Sequence, residues 1–337
     1  MWKKKSVDTA INYYKKALEI EPKNKTSLRS LSMIIRTKET ESIEEKQKIA
    51  QESLEYAKKA ISLDMQDSFS WYIYGNAFFY KAFIDKTQYK DLRLALNAYN
   101  KAQEKLSKYK NPDLFYNRGV VHAYLENYQN AYNDFKEAND IDETLKSDSL
   151  CNNILEIIQS TSKSIKNMCG LKPKKLAQIL TSIPHTLKDD VKYELIKGDD
   201  FVEGKNVNKL ITGKIITHIK SSFDVPISFV CVDYSSNFFC LSVYNISTEF
   251  VNSIAYMSST FVVLEPEVKK ICMTVKDGEN EKKIEYFCIQ VSELNTLLVD
   301  GKFCSGYESS STLNSTFFKI IKHCHSISKN LINILLK

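Results

Sequence analysis

Residues 111–142 read NPDLFYNRGVVHAYLENYQNAYNDFKEANDID. With Gly119 at position 8 of a 34-residue helix–turn–helix repeat, Ala131 falls at 20, Phe135 at 24 and Ala138 at 27. The requirement is steric. Small residues at 8, 20 and 27 let two helices approach closely, and larger ones fill the gaps to the next pair. The stretch therefore predicts a tetratricopeptide repeat (TPR).

The same spacing recurs upstream. In SFSWYIYGNAFFYKAF (68–83), Trp71, Tyr74, Gly75 and Phe78 take positions 4, 7, 8 and 11. The partner helix carries Ala95, Tyr99 and Ala102, about eight residues late, so Asp85–Asp91 reads as an insertion. A weaker copy sets Leu28, Leu31, Ser32 and Ile35 against Ser53, Ala57 and Ala60, with Glu39–Gln47 lengthening the connection. A half copy opens the chain, with Ala10, Tyr14, Ala17 and Pro22 at second-helix positions. A lone second helix cannot bury its apolar face, so a partner helix upstream of Met1 is expected. SLCNNILEIIQSTSKSIKNMC (149–169) continues as an amphipathic helix that would cap the array, and KKLAQILTSI adds a short helix before Pro184.

From about Tyr193 the period changes from helix to strand. Apolar, β-branched runs cover 210–219, 226–233, 238–245, 258–266, 269–276 and 283–291. Lys276-Asp277-Gly278 marks a tight turn, and Ser247–Ser253 has room for one helical turn after the third strand. This order fits a small barrel of the OB type. The expected layout is a TPR α-solenoid followed by an OB-fold β-barrel. Its parts are 1–160 for the repeats and capping helix, 161–188 for a basic connection, 189–305 for the OB-fold domain and 306–337 for a tail.

Composition excludes several classes. The chain has 337 residues, a net charge of +6 and 26% charged residues, too modest a balance to argue for nucleic acid by itself. Its distribution is uneven. Eight acids between Val121 and Ser160 face only Lys136 and Lys146, whereas Thr161–Leu187 carries Lys163, Lys166, Lys172, Lys174 and Lys175 without an acid. The eight cysteines show no C-x-x-C pair, and several sit in apolar runs such as FVCVD, as reduced core thiols do. His323, Cys324 and His325 mimic a metal cluster, but neighbours two apart on a helix face different ways. No phosphate-loop, dinucleotide, nucleophile-elbow or zincin motif is present, and nine glycines are few for phosphate-cradling loops. No 18-residue apolar run suggests a membrane span. We expect no enzyme, no cofactor, no metal and no membrane partner.

A peptide groove is the positive expectation. First helices of successive TPRs line a concave face through positions 2, 5, 6, 9 and 12. Asn76 and Asn117 fall at positions 9 and 6, where carboxamides can grip a peptide backbone. Arg36 at position 12 and Asp113 at position 2 offer opposite charges to a ligand. Tyr72 stands where the familiar chaperone-tail clamp has Lys. In the strand region Phe229, Phe238, Tyr244 and Tyr286 alternate with apolar residues and read as core, not as a base-stacking platform.

WKK (2–4), SLRSLSMIIR (27–36), SWYIYGNAFF (70–79), NPDLFYNRGVVHAY (111–124), KPKKLAQIL (172–180), VPISFVCVD (225–233) and VLEPEVK (263–269) together resemble the tetratricopeptide repeat protein 5 (Strap) family. The resemblance runs from Trp2 to about Lys302. It implies about a hundred family residues upstream, a TPR array joined to an OB-fold domain, and a location in cytoplasm and nucleus. One role it implies is tubulin autoregulation. There the protein sits on the ribosome, grips the Met-Arg-Glu start of nascent tubulin and recruits an mRNA-decay adaptor. The other is a stress-responsive transcription cofactor that scaffolds a histone acetyltransferase coactivator, with the OB domain touching protein or DNA. The family's groove Arg aligns with Arg36, a groove Asp with Asp113, and the ribosome-facing lysines with Lys172 and Lys174. A second acidic groove residue of the family aligns with Ser147, beside Asp148 and Glu143.

Overall fold

The computed structural model describes residues 2–84, 88–105, 110–184, 192–221, 223, 225–277 and 280–307. His323, Cys324, His325, the tail beyond 307 and the tip of the turn at Gly278 lie outside them. The chain divides into two compact units. Among the described residues, one holds 2–125 and 130–150, the other 126–129 and 151–307.

The first unit is helical. Its elements are α1 (Trp2–Ile20), α2 (Lys25–Ile35), α3 (Ile43–Leu63), α4 (Ser68–Ala82), α5 (Gln88–Glu104), α6 (Pro112–Tyr124) and α7 (Tyr128–Ile141). Helix α2 starts on Asn24, whose side chain accepts the Ser27 N–H, and α6 starts on Asn111, which accepts the Asp113 N–H. Such caps satisfy amides that the helix itself leaves unpaired. α5 begins at Gln88, so part of the inserted segment extends the second helix of its repeat.

The repeat spacing is visible as contact. A Cβ on Gly119 would meet the Phe135 ring at 2.9 Å, and one on Gly75 would meet the Tyr99 ring at 2.5 Å. Helix pairs α6/α7 and α4/α5 therefore close only over glycine. Ala131, Phe135, Ala138, Ala95, Tyr99 and Ala102 are all fully buried, as positions 20, 24 and 27 require. The α2/α3 pair differs. There Ser32 and Ser53 occupy positions 8 and 20, and their hydroxyls meet at 3.1 Å.

The second unit opens with most of helix α8 (Asp148–Cys169) and then α9 (Pro173–Leu180). The helix read as a cap on the repeats thus belongs, from Cys151 onward, to the unit that holds the strands. The strands are β1 (Glu194–Ile196), β2 (Gly204–Lys205), β3 (Lys209–Ile219), β4 (Ile227–Asp233), β5 (Phe238–Val243), β6 (Thr260–Leu264), β7 (Glu267–Asp277), β8 (Asn280–Val291), β9 (Leu297–Val299) and β10 (Lys302–Phe303). A short helix, α10 (Thr248–Ser253), follows the third long strand where the sequence left room for it.

The hydrogen-bonded order is β10-β9-β6-β3-β4-β5-β8-β7-β2, with β5 parallel to β8 and β1 parallel to β3. This ladder is open, whereas the sequence suggested a closed barrel. β6 pairs with β3 and β7 with β8, yet β6 and β7 follow one another across Glu265-Pro266. Proline lacks the N–H that a continuous strand would donate, and Glu265 takes a left-handed φ of 48°. Between the two half-strands the connection is covalent.

The core of this unit gathers Ile211, Ile215, Phe229, Phe239, Leu241, Phe250, Phe261 and Ile289. Phe229 and Tyr244 are fully buried and Tyr286 nearly so, which fits core residues, whereas Phe238 is only partly buried. Asp233, fully buried, accepts the amides of Gly198, Ser235 and Asn237 and pins the β4–β5 turn. Glu126, counted with this unit, accepts from the Ser242 and Tyr244 hydroxyls. A second cluster, Ile179, Ile183, Ile216 and Val232, fixes α9 to the outer side of the sheet.

Candidate peptide groove and basic helix

Helix α4 lies between α2 and α6, so the first helices of three repeats stand side by side. Asn76 on α4 and Asn117 on α6 meet there. Asn117 Nδ2 donates to Asn76 Oδ1 at 3.0 Å and to the Tyr72 hydroxyl at 3.4 Å. The Tyr99 hydroxyl donates to the same Asn76 Oδ1 at 2.7 Å. Asn117 is 1% exposed and acts as a brace, not as a free carboxamide. Asn76 is half-buried, and its oxygen already accepts two bonds. The group left over is its Nδ2, a donor. Sequence reasoning placed both asparagines, Tyr72 and Tyr99, but not the hydrogen bonds by which the two tyrosines orient the carboxamides. Tyr99 carries a signal only as a bulky residue at position 24.

Asp113 stands in the first turn of α6, half-buried. Among the described residues its carboxylate meets no cation. Burial, with the Asp142 charge nearby, pushes its pKa from 3.8 up to about 6. The opposite arrangement lies on the other side of the same helix. Arg118 grips Asp134 in a two-pronged, buried ion pair, Nε–Oδ2 2.8 Å and Nη2–Oδ1 2.6 Å. Asp113 is therefore an acidic group without the partner that its repeat supplies elsewhere.

Arg36 departs from expectation. Its residue is 6% exposed, and Nη1 donates to Ser53 Oγ at 2.7 Å and to Ser32 Oγ at 3.2 Å. The repeats around α4 and α6 have Gly or Ala at positions 8 and 20. Here two hydroxyls offer acceptors inside the helix pair, and the guanidinium turns toward them. Tyr80 lies close enough for the Arg36 charge to oppose the burial that raises its hydroxyl to about 12. Ser147, aligned with the family's second groove acid, is fully buried and donates to the Phe135 carbonyl. Asp148 is exposed and accepts from Asn139 Nδ2 at 3.0 Å.

In the second unit Lys172 caps α9, and Lys174 and Lys175 follow in its first turn, all exposed and with no acid there. Orphan backbone amides at a helix start and three ammonium groups make this tip attractive to anions. The anchoring of Ile179 and Ile183 holds it in place. No group of three or more His, Cys, Asp or Glu among the described residues is set to hold a metal, and no described helix is long and apolar enough to cross a membrane.

The family model of the tetratricopeptide repeat protein 5 OB fold domain matches residues 192–312, and the tetratricopeptide repeat model matches 2–24 and 112–145. Tetratricopeptide repeat protein 5 of Mus musculus is 31% identical over 260 residues, covering 73% of this chain and 59% of its own length. The chain belongs to the tetratricopeptide repeat protein 5 family. The Homo sapiens protein of that name is 30% identical over the same share of each chain, so the chain spans about three fifths of these relatives. Among solved structures, a thermophilic TPR protein of Thermus thermophilus overlaps at a TM-score of 0.37 and 18% identity, covering 44% of this chain and 72% of its own. The chain thus carries the tetratricopeptide repeats and the OB-fold domain of that family.

Proposed function

We propose that the chain acts as an adaptor that grips the Met-Arg-Glu start of nascent tubulin at the ribosome and passes the signal to an mRNA-decay adaptor. The observation that carries the reading is Asp113, a half-buried carboxylate held at a pKa of about 6 with no cation beside it among the described residues. A ligand arginine would supply the missing charge. Such a charge-assisted bond contributes on the order of 1.5–3 kcal/mol, about ten- to a hundredfold in affinity. Asn76 Nδ2 would donate to a ligand carbonyl. Lys172 and Lys174 on the α9 tip would meet ribosomal RNA phosphates and raise the local concentration of the emerging peptide. A ligand glutamate would have to meet Arg36 while one of its nitrogens serves Ser32 and Ser53.

The test is titration of a labelled Met-Arg-Glu-Ile peptide across pH. Only ionised Asp113 attracts arginine, so affinity should be level above pH 7 and fall as pH drops through 6. Unchanged binding in Asp113→Ala would discard the groove assignment. Salt-sensitive ribosome co-sedimentation that survives Lys172→Glu with Lys174→Glu would remove the ribosomal part.

A further inference from the structure

Gln159, Ser162, Lys163, Lys166 and Asn167 recur on α8 at i, i+3, i+4, i+7 and i+8, one continuous stripe of the helix. The stripe is wholly polar and mostly exposed, and it faces a concavity of about 490 Å3 whose other wall is Val275, Lys282 and Ile284. Those three share one face of the β7–β8 hairpin, because Val275 pairs directly with Lys282 and Ile284 lies two residues further on. The Tyr286 hydroxyl, next along that face, lies beside the Thr161 side chain of the helix.

Three lysines thus converge on one hollow from two elements, and among the described residues no carboxylate lines it. Among the described residues none of the three is in an ion pair. Gathering like charges costs stability unless an anion answers them. The volume lies within the range of small-ligand sites, and Val275 and Ile284, themselves largely buried, give its floor a small apolar patch that suits a flat, weakly polar body. A bare inorganic anion would leave that patch unused.

We propose that this hollow binds a nucleoside phosphate, its phosphate among Lys163, Lys166 and Lys282 and its base against Val275 and Ile284. The nucleotide is either free or one unit of a single RNA strand. Gln159 and Asn167 supply both donors and acceptors for the sugar or base edge. The site shares no residue with the α9 tip or the peptide groove, so failure of the tubulin reading leaves it standing.

The experiment uses the full chain and fluorescence anisotropy with two probes, N-methylanthraniloyl-ATP and fluorescein-labelled decauridylate. At least one should bind. Lys163→Glu with Lys166→Glu, and separately Lys282→Glu, should weaken that binding about tenfold or more. For decauridylate the double change should also flatten the slope of log K against log salt by about 1.4. Unchanged circular dichroism guards against misfolding; should the Glu variants unfold, Lys163→Gln with Lys166→Gln replaces them. Response to the ATP probe alone assigns a free nucleotide, and response to the strand alone assigns RNA. The proposal is overturned if neither probe binds, or if only Lys172→Glu with Lys174→Glu abolishes binding. It is equally overturned if tripolyphosphate displaces the probe as well as ATP does, or if a phosphoserine peptide binds where both probes fail.

Discussion

Replacing Asp113 by asparagine should stabilise the helical unit, and the gain should depend on pH. The carboxyl titrates near 6 in the folded chain instead of 3.8, so folding raises its proton affinity. Protons then favour the folded state. The ionised group weighs against folding above pH 6, and that penalty fades as pH falls through 6 toward 4. About two pKa units correspond to a ceiling of about 3 kcal/mol. Partial solvent access to the carboxylate lowers the expectation to about 2 kcal/mol. Asparagine carries no charge and escapes the penalty. The assay is urea unfolding followed by tryptophan fluorescence at several pH values from 4 to 8. Both tryptophans, Trp2 and Trp71, lie in the helical unit, so the signal follows that unit. Asp113→Asn should exceed the wild type by about 2 kcal/mol at pH 8, with the margin closing near pH 4. A margin that stays constant over that range, or a less stable variant at pH 8, would refute the assignment of an uncompensated buried charge.

Other expectations follow from the same geometry. Gly119→Ala places a methyl 2.9 Å from the Phe135 ring and should cost about 1–3 kcal/mol, read as a lower urea midpoint. Arg36→Glu would bury an anion beside Ser32 and Ser53 and should destabilise the helical unit by about 3 kcal/mol or more, whereas Arg36→Met should be milder. Equal midpoints for the two would show that the guanidinium is not enclosed. Tyr99→Phe removes a donor from Asn76 Oδ1 and should loosen the carboxamide, lowering peptide affinity several-fold while stability falls by about 1 kcal/mol.

Much of the architecture was legible because spacing encodes close packing. Gly119 with Ala131, Phe135 and Ala138 fixes one helix pair, and the run of β-branched residues after Tyr193 fixes the change to strands. Side-chain destinations were less legible. Repeat position 12 points Arg36 toward the concave face, but Ser32 and Ser53 on two separate helices draw it inward. That outcome depends on a tertiary contact that no local pattern announces. Asn117 likewise fits a groove position and is instead consumed by Asn76 and Tyr72. The apolar stripe of α8 shows that the helix packs, not upon what. The open ladder has a similar cause, since a proline inside an apolar run marks a break without revealing that its two halves join different neighbours.

The doubly occupied oxygen of Asn76 bears on what kind of chain the groove would tolerate. A carboxamide that offers only its nitrogen asks for a ligand carbonyl and is indifferent to whether the adjoining amide carries hydrogen. Proline or an N-methylated residue at that place in a ligand should be accepted as readily as any other, whereas an ester-for-amide swap, which weakens the carbonyl as an acceptor, should be felt.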